Sequence, residues 1–403
     1  MAAAPQHGDK VWVRMDAEAM SGRSRQHRAG RLVVTAAAGL LIALASPRPG
    51  VAASDAERSA LGAMLFSDPD LSAGRNQSCA TCHDPAHGFA DPRKDAASGA
   101  ISLGSDGHAR GVRNAPTVSY AASAPRFHRD EQGRYVGGQF LDGRADTLEA
   151  QAGGPLLNPV EMAMPSKASV VARLKEKPAY VEAFGRLFGP DVLASDARAF
   201  AALTEALAAY ERSAEVSPFD SRYDRSLRGE YKMTDQEELG RVLFFSTQFT
   251  NCHLCHQIEP QGGGRETFSN YQFHNIGVPA NPDLRAPTDH GLRAGRHLKD
   301  RRQDGRFKVP TLRNVAVTGP YMHNGVFKDL RTVILFYNSY VTKSDARRID
   351  PETGRPFAPP EVGSTISRKE LLDAPALDDK RIDALVAFLK TLTDARYEPL
   401  LAP

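Results

Sequence analysis

All four cysteines of this 403-residue chain stand in two copies of one five-residue pattern. These are Cys79-Ala80-Thr81-Cys82-His83 and Cys252-His253-Leu254-Cys255-His256. In C-x-x-C-H, two thiols add across the vinyl groups of a haem and the adjacent histidine reaches the iron as its proximal ligand. The two-residue gap matches the separation of the vinyls, and the next residue brings an imidazole under the ring. Two copies imply two covalently held haems and a redox role. A structural zinc site would require the two CxxC pairs to meet across a long stretch of chain, with both histidines left as coincidence. Disulfides suit an exported chain, but a CxxC disulfide usually sits beside a βαβ pattern, which this sequence lacks. Haem attachment uses every residue of both motifs.

The segments that must position these motifs resemble each other. Ser54-Asp55-Ala56-Glu57 leads through Leu61-Gly62 and Leu65-Phe66 to Cys79; Thr234-Asp235-Gln236-Glu237 leads through Leu239-Gly240 and Leu243-Phe244 to Cys252. Both openings have the capping-box pattern, so each predicts a helix start followed by a polar loop into the attachment site. Apolar spacing predicts two further helices. One runs from Ser195 to Arg212, with Phe200, Leu203, Leu207 and Tyr210 on one face; the other runs from Asp378 to Leu392, with Ile382, Leu385, Phe388 and Leu389. Strand signals are few and short. Gly137-Gly138, Gly262 to Gly264 and Arg355 to Pro360 read as loops. The expected fold is mainly α: two cytochrome-c-like helical haem domains from a duplication, packed around a haem pair. Their expected extents are 54–216 and 217–403, with a boundary near Ser217-Pro218-Phe219-Asp220.

Residues 1–53 read as a leader. Arg23, Arg25, Arg28 and Arg31 precede an apolar run from Leu32 to Ala45, and Val51-Ala52-Ala53-Ser54 supplies the small residues of a cleavage site. The expected location is therefore the periplasm. That leader holds seven basic and three acidic side chains, so its removal takes the formal charge from +3 to about −1. The basic balance belongs to the leader, and no nucleic-acid role follows from it.

Beyond the haem motifs, several segments resemble the bacterial di-haem cytochrome c peroxidase family, and within it the MauG-like branch. In the first half these are Arg113-Asn114-Ala115-Pro116-Thr117, Leu141-Asp142-Gly143-Arg144-Ala145 with Gln151, and Pro159-Val160-Glu161-Met162. In the second they are Phe273-His274-Asn275-Ile276-Gly277, Val309-Pro310-Thr311-Leu312-Arg313-Asn314 and Pro320-Tyr321-Met322-His323-Asn324-Gly325. The resemblance implies that hydrogen peroxide reacts at the N-terminal haem, whose proximal ligand is His83, and that electrons pass through the C-terminal haem on His256. It puts Gln151 and Glu161 on the distal side of the first haem. A carboxylate there suits O–O cleavage, which must move a proton from the inner to the outer oxygen.

The resemblance also assigns Tyr337, in Leu335-Phe336-Tyr337-Asn338, as second ligand of the C-terminal haem, where other members place methionine; Tyr340, three residues on, is the alternative. A phenolate is a hard donor that favours oxidised iron, whereas a thioether favours the ferrous form. A calcium ion is implied between the halves, on Asn114, Thr318 and Pro320, through oxygen atoms. His108, His87 and His128 are candidates for a loop histidine that caps the first haem at rest; the MauG-like expectation is an open, five-coordinate iron. One departure stands out. Where the family carries a relay tryptophan between the haems this chain has Leu141, and its one tryptophan, Trp12, lies in the leader.

The expected activity is a periplasmic di-haem peroxidase-type oxidoreductase. Its expected electron donor is a small cytochrome or cupredoxin, or the residues of a partner protein that it oxidises; a homodimer is the assembly considered. The competing classes are an electron-transfer protein without peroxide turnover, to which Leu141 lends weight, and a haem-based binding or sensor module.

Overall fold

The computed structural model describes residues 51–94, 97–258, 266–284 and 286–401. Residues 1–50 of the expected leader, with Trp12, and the loop glycines 262–264 fall outside the described residues. The described residues form one compact unit.

In the first half the helices are α1 (Val51–Phe66), α2 (Cys79–Cys82), α3 (Leu148–Leu157), α4 (Lys167–Lys175), α5 (Pro178–Phe188) and α6 (Asp196–Glu211). The second half carries α7 (Arg222–Leu227), α8 (Asp235–Phe245), α9 (Cys252–Cys255), α10 (Leu292–Gly295), α11 (Leu330–Ser339), α12 (Arg368–Leu372) and α13 (Asp379–Lys390). Strands are confined to three antiparallel two-residue pairs: β1 (His128–Arg129) with β2 (Tyr135–Val136), β3 (Phe273–His274) with β4 (Phe307–Lys308), and β5 (Ile349–Asp350) with β6 (Arg355–Pro356). The fold is mainly helical, as the periodicity predicts, although the Arg355 to Pro360 loop contributes its first two residues to β6.

Both long amphipathic helices form where the apolar spacing puts them. Ser195 caps α6 by accepting from Arg198 N–H, and Asp378 caps α13 by accepting from Arg381 N–H. All eight residues of their predicted faces are buried. At α8 the predicted capping box is present, with Thr234 and Glu237 satisfying each other's backbone N–H. At α1 it is not. This helix begins at Val51, ahead of Ser54, because Val51-Ala52-Ala53 continues upstream as good helix-forming sequence.

The duplication is visible in how the helices cross. A Cβ on Gly62 of α1 would lie 2.0 Å from the Ala206 carbonyl oxygen and 2.8 Å from Tyr210 Cβ on α6. A Cβ on Gly240 of α8 would lie 1.9 Å from the Ala384 carbonyl oxygen and 2.8 Å from Phe388 Cβ on α13. The two triplets are related by one constant shift in sequence. Each crossing brings backbones so close that only glycine fits. One hydrophobic cluster spans Leu61 to Val216 and a second spans Tyr223 to Leu392, on either side of the Ser217–Asp220 segment.

Candidate haem sites and distal cleft

Each C-x-x-C-H motif is one helical turn followed by its histidine. The turn of α2 is held at its start by Ser78 N–H, which donates to Thr81 Oγ1 at 2.9 Å. All four thiols are unpaired, so no disulfide forms. Among the described residues no three His, Cys, Asp or Glu side chains gather as a metal site.

The two motif histidines are oriented by the same device. His83 Nδ1 lies 3.3 Å from the carbonyl oxygen of Phe89, and His256 Nδ1 lies 2.9 Å from that of Phe268. A carbonyl only accepts, so each ring carries its proton on Nδ1 and leaves Nε2 with a lone pair. Both phenylalanines are fully buried and left-handed, with φ of 55° and 56°. That conformation is costly for a bulky residue, and here it turns a carbonyl onto an imidazole. Burial lowers both imidazole pKa values, to about 4 for His256, so both rings are neutral donors.

A cavity of about 340 Å³ opens beside the second motif, bounded by Cys252, Cys255, His256, Leu312, Tyr337 and Leu389. Its size lies within the range of cofactor sites, roughly 300–1,000 Å³. Paired thiols, a bare Nε2 and apolar walls fit a covalently attached macrocycle. Tyr337 reaches this cavity from α11, and its hydroxyl has no hydrogen-bond partner among the described residues. Burial raises its pKa, with Cys255 and Cys252 as the next contributors. Tyr340 is engaged elsewhere, donating to the Ile276 carbonyl at 2.9 Å.

Glu161 borders a separate open cleft of about 610 Å³, with Phe140, Arg144, Asn158, Arg296 and His297. Its backbone is pinned on both sides: the carbonyl accepts from Ser105 N–H at 2.8 Å and its N–H donates to Asn158 at 3.0 Å. Burial raises the carboxyl pKa; the Arg144 charge and a hydrogen bond from Asn158 oppose the shift. Gln151 sits half-buried on α3 and does not line this cleft, although its neighbour Ala150 does. The cleft is a joint product of both halves, since Gly295, Arg296 and His297 come from the second. The signal that sequence reasoning missed was the basic run after Gly291.

Asn114, Thr318, Pro320 and Leu141 all line the 340 Å³ cavity. Asn114 N–H donates to the His323 carbonyl at 2.8 Å and its Nδ2 to the Ala100 carbonyl at 3.2 Å; its Oδ1 accepts no hydrogen bond from a described residue. Beside Leu141, whose carbonyl accepts from Lys308 N–H at 2.8 Å, the rings of Phe307 and His323 stack at 3.9 Å. Arg113 ties the halves together, donating to Asp142 and Asp289 at 2.6 Å each. None of the three loop histidines lines either cavity. His87 pairs with Asp84 at 2.7 Å, His128 Nδ1 donates to the Arg126 carbonyl at 2.8 Å, and His108 is exposed.

Residues 56–232 match the di-haem cytochrome c peroxidase family. The chain is 55% identical to the methylamine utilization protein MauG of Paracoccus denitrificans over 379 residues, covering 92% of this chain and 97% of that protein. It is 30% identical to the cytochrome c551 peroxidase of Pseudomonas aeruginosa over 308 residues, 76% of each chain. The crystal structure of the diheme peroxidase BthA from Burkholderia thailandensis superposes with a TM-score of 0.75 at 34% identity, covering 88% of this chain and 89% of that one. Paired C-x-x-C-H sites in duplicated helical halves agree with these likenesses, and the chain belongs to the di-haem cytochrome c peroxidase family of oxidoreductases.

Proposed function

We propose that the protein is a periplasmic oxidoreductase that reduces hydrogen peroxide at the N-terminal site with electrons delivered through the C-terminal one. The observation that carries this reading is Glu161, a carboxyl with a raised pKa beside an open cleft on the first half. When bound, haem c on Cys79 and Cys82 supplies the iron that receives peroxide and the electrons that cleave its O–O bond. Glu161 moves the proton. Its carboxylate takes the proton of the inner oxygen and gives it to the outer oxygen, which then leaves as water. Burial brings its pKa nearer working pH, while Asn158 and Arg144 keep the oxygens oriented. His83 and His256 would offer Nε2 to the two irons, and Tyr337 would offer its phenol oxygen at the C-terminal site. An oxygen-ligated calcium ion on Asn114, Thr318 and Pro320 would brace the seam between the halves.

Rapid mixing of the ferric and ferrous protein with peroxide tests this reading. It predicts a fast change in haem absorbance and turnover with a reduced small cytochrome or cupredoxin; no spectral change and no turnover with any donor would overturn it. A second reading is favoured by Tyr337 and by the 55% identical MauG relative. In it the electrons come from residues of a partner protein, and the two readings separate by whether a soluble one-electron donor sustains turnover.

A further inference from the structure

Most buried carboxyls of the fold have clear partners. Asp68 meets Lys177 and Tyr180, Asp142 meets Arg113, Asp224 meets Arg313, and Asp394 meets Tyr120 and Asn314. Glu211, at the last turn of α6, is the exception. It is 5% exposed and has no hydrogen-bond or ion-pair partner among the described residues. An unpartnered acid is costly to bury, so its place needs a reason.

The duplication supplies the place. The shift that carries Gly62, Ala206 and Tyr210 onto Gly240, Ala384 and Phe388 carries Leu207 onto Leu385 and Glu211 onto Leu389. Leu385 and Leu389 are both walls of the cavity at the second attachment motif. Glu211 thus stands on the first half where the second half has a leucine in the cavity wall. Independently, Glu211 is the charge that acts most strongly on Cys79, ahead of Cys82 and Glu161. Glu211 therefore acts on the first attachment site.

We propose that Glu211 is the proton-holding acid of the N-terminal haem pocket, a residue through which the potential of that haem depends on pH. When this carboxyl gives up its proton it becomes an anion on the haem wall, and an anion there favours the oxidised form. Above it Arg212 meets Glu149 of α3 at 2.6 Å. Those are the charges that act on Glu211, and the adjoining stretch of α1, Leu61–Phe66, carries none. Burial holds the carboxyl protonated at neutral pH, with its pKa pushed up to about 8. A proton is therefore present at rest.

The variants Glu211→Gln and Glu211→Leu test this in the haem-loaded full chain, the second supplying the residue that the other half uses. Both should carry two haems by mass. Without peroxide, the midpoint potential of the N-terminal haem should fall as pH rises through 8 in the parent protein, and this dependence should vanish in both variants. A parent potential independent of pH, or variants that keep the parent pH profile, would overturn the proposal. If the parent is inert to peroxide but its potential shows the pH dependence, the peroxide reading fails and Glu211 keeps its proton-holding role. Should the leucine variant not take up haem, the glutamine variant carries the decision.

Discussion

The Nδ1 of His256 lies 2.9 Å from the carbonyl oxygen of Phe268, a residue twisted into the left-handed region to bring that oxygen there. The bond selects the tautomer with Nε2 free and fixes the plane of the ring. Its consequence is measurable. His256→Ala should retain two haems per chain, because Cys252 and Cys255 still form their thioethers, yet lose the axial signature of one of them. Mass and the oxidised absorption spectrum check this together; an unchanged spectrum would remove His256 as a ligand.

Of the two candidate ligands Tyr337 lines the cavity, whereas Tyr340 is committed to Ile276. Replacing Tyr337 with methionine exchanges a hard anionic donor for a neutral soft one, so the potential of the C-terminal haem should rise and its spectrum should change. Tyr340→Phe should do neither. Spectroelectrochemical titration of both variants distinguishes them, and the reverse pattern would reassign the ligand.

Glu161→Gln keeps the size of the side chain but removes its acid–base function. The rate of the peroxide reaction should drop by about 10²–10⁴, with haem content unchanged. Stopped-flow mixing reads this directly. A rate within twofold of the parent would show that O–O cleavage does not use this carboxyl.

Gly62→Ala and Gly240→Ala test the duplicated crossings. In an exposed helix this change is worth about 1 kcal/mol of stabilisation from propensity. Here the new Cβ would lie 2.0 or 1.9 Å from a carbonyl oxygen, so overpacking dominates the propensity gain. A net loss of about 1–3 kcal/mol is expected at either site, measured by denaturant unfolding. Stabilisation at either would contradict the packing described.

Arg313 is 1% exposed and makes two hydrogen bonds to Asp224, at 2.5 and 2.9 Å, with Nε donating to the Glu266 carbonyl at 2.7 Å. Removing one partner strands the other as a buried charge, which costs about 3–5 kcal/mol. Asp224→Ala should therefore lower the unfolding midpoint sharply. A change below about 1 kcal/mol would mean that the pair is not buried in solution.

Cysteine spacing, helix caps and apolar periodicity are local properties, and they determined much of this protein before any packing is considered. The attachment motifs are one helical turn each, so five consecutive residues suffice to define them. The α6 and α13 helices follow from i, i+3, i+4 spacing, and α8 from a reciprocal cap between Thr234 and Glu237. What the sequence could not determine depends on where distant segments meet. Tyr337 and Tyr340 are three residues apart; the resemblance favours Tyr337, but only packing put it in the cavity and the other against Ile276. Phe89 and Phe268 look like ordinary core residues until their backbone turns a carbonyl onto each motif histidine. The walls of the cleft at Glu161 come from both halves, and Glu211 acquires meaning only when α6 is superimposed on α13 and its counterpart lines a haem cavity. Local chemistry is written in neighbouring residues, but burial, desolvation and orientation arise from contacts across the whole chain, and those belong to tertiary structure.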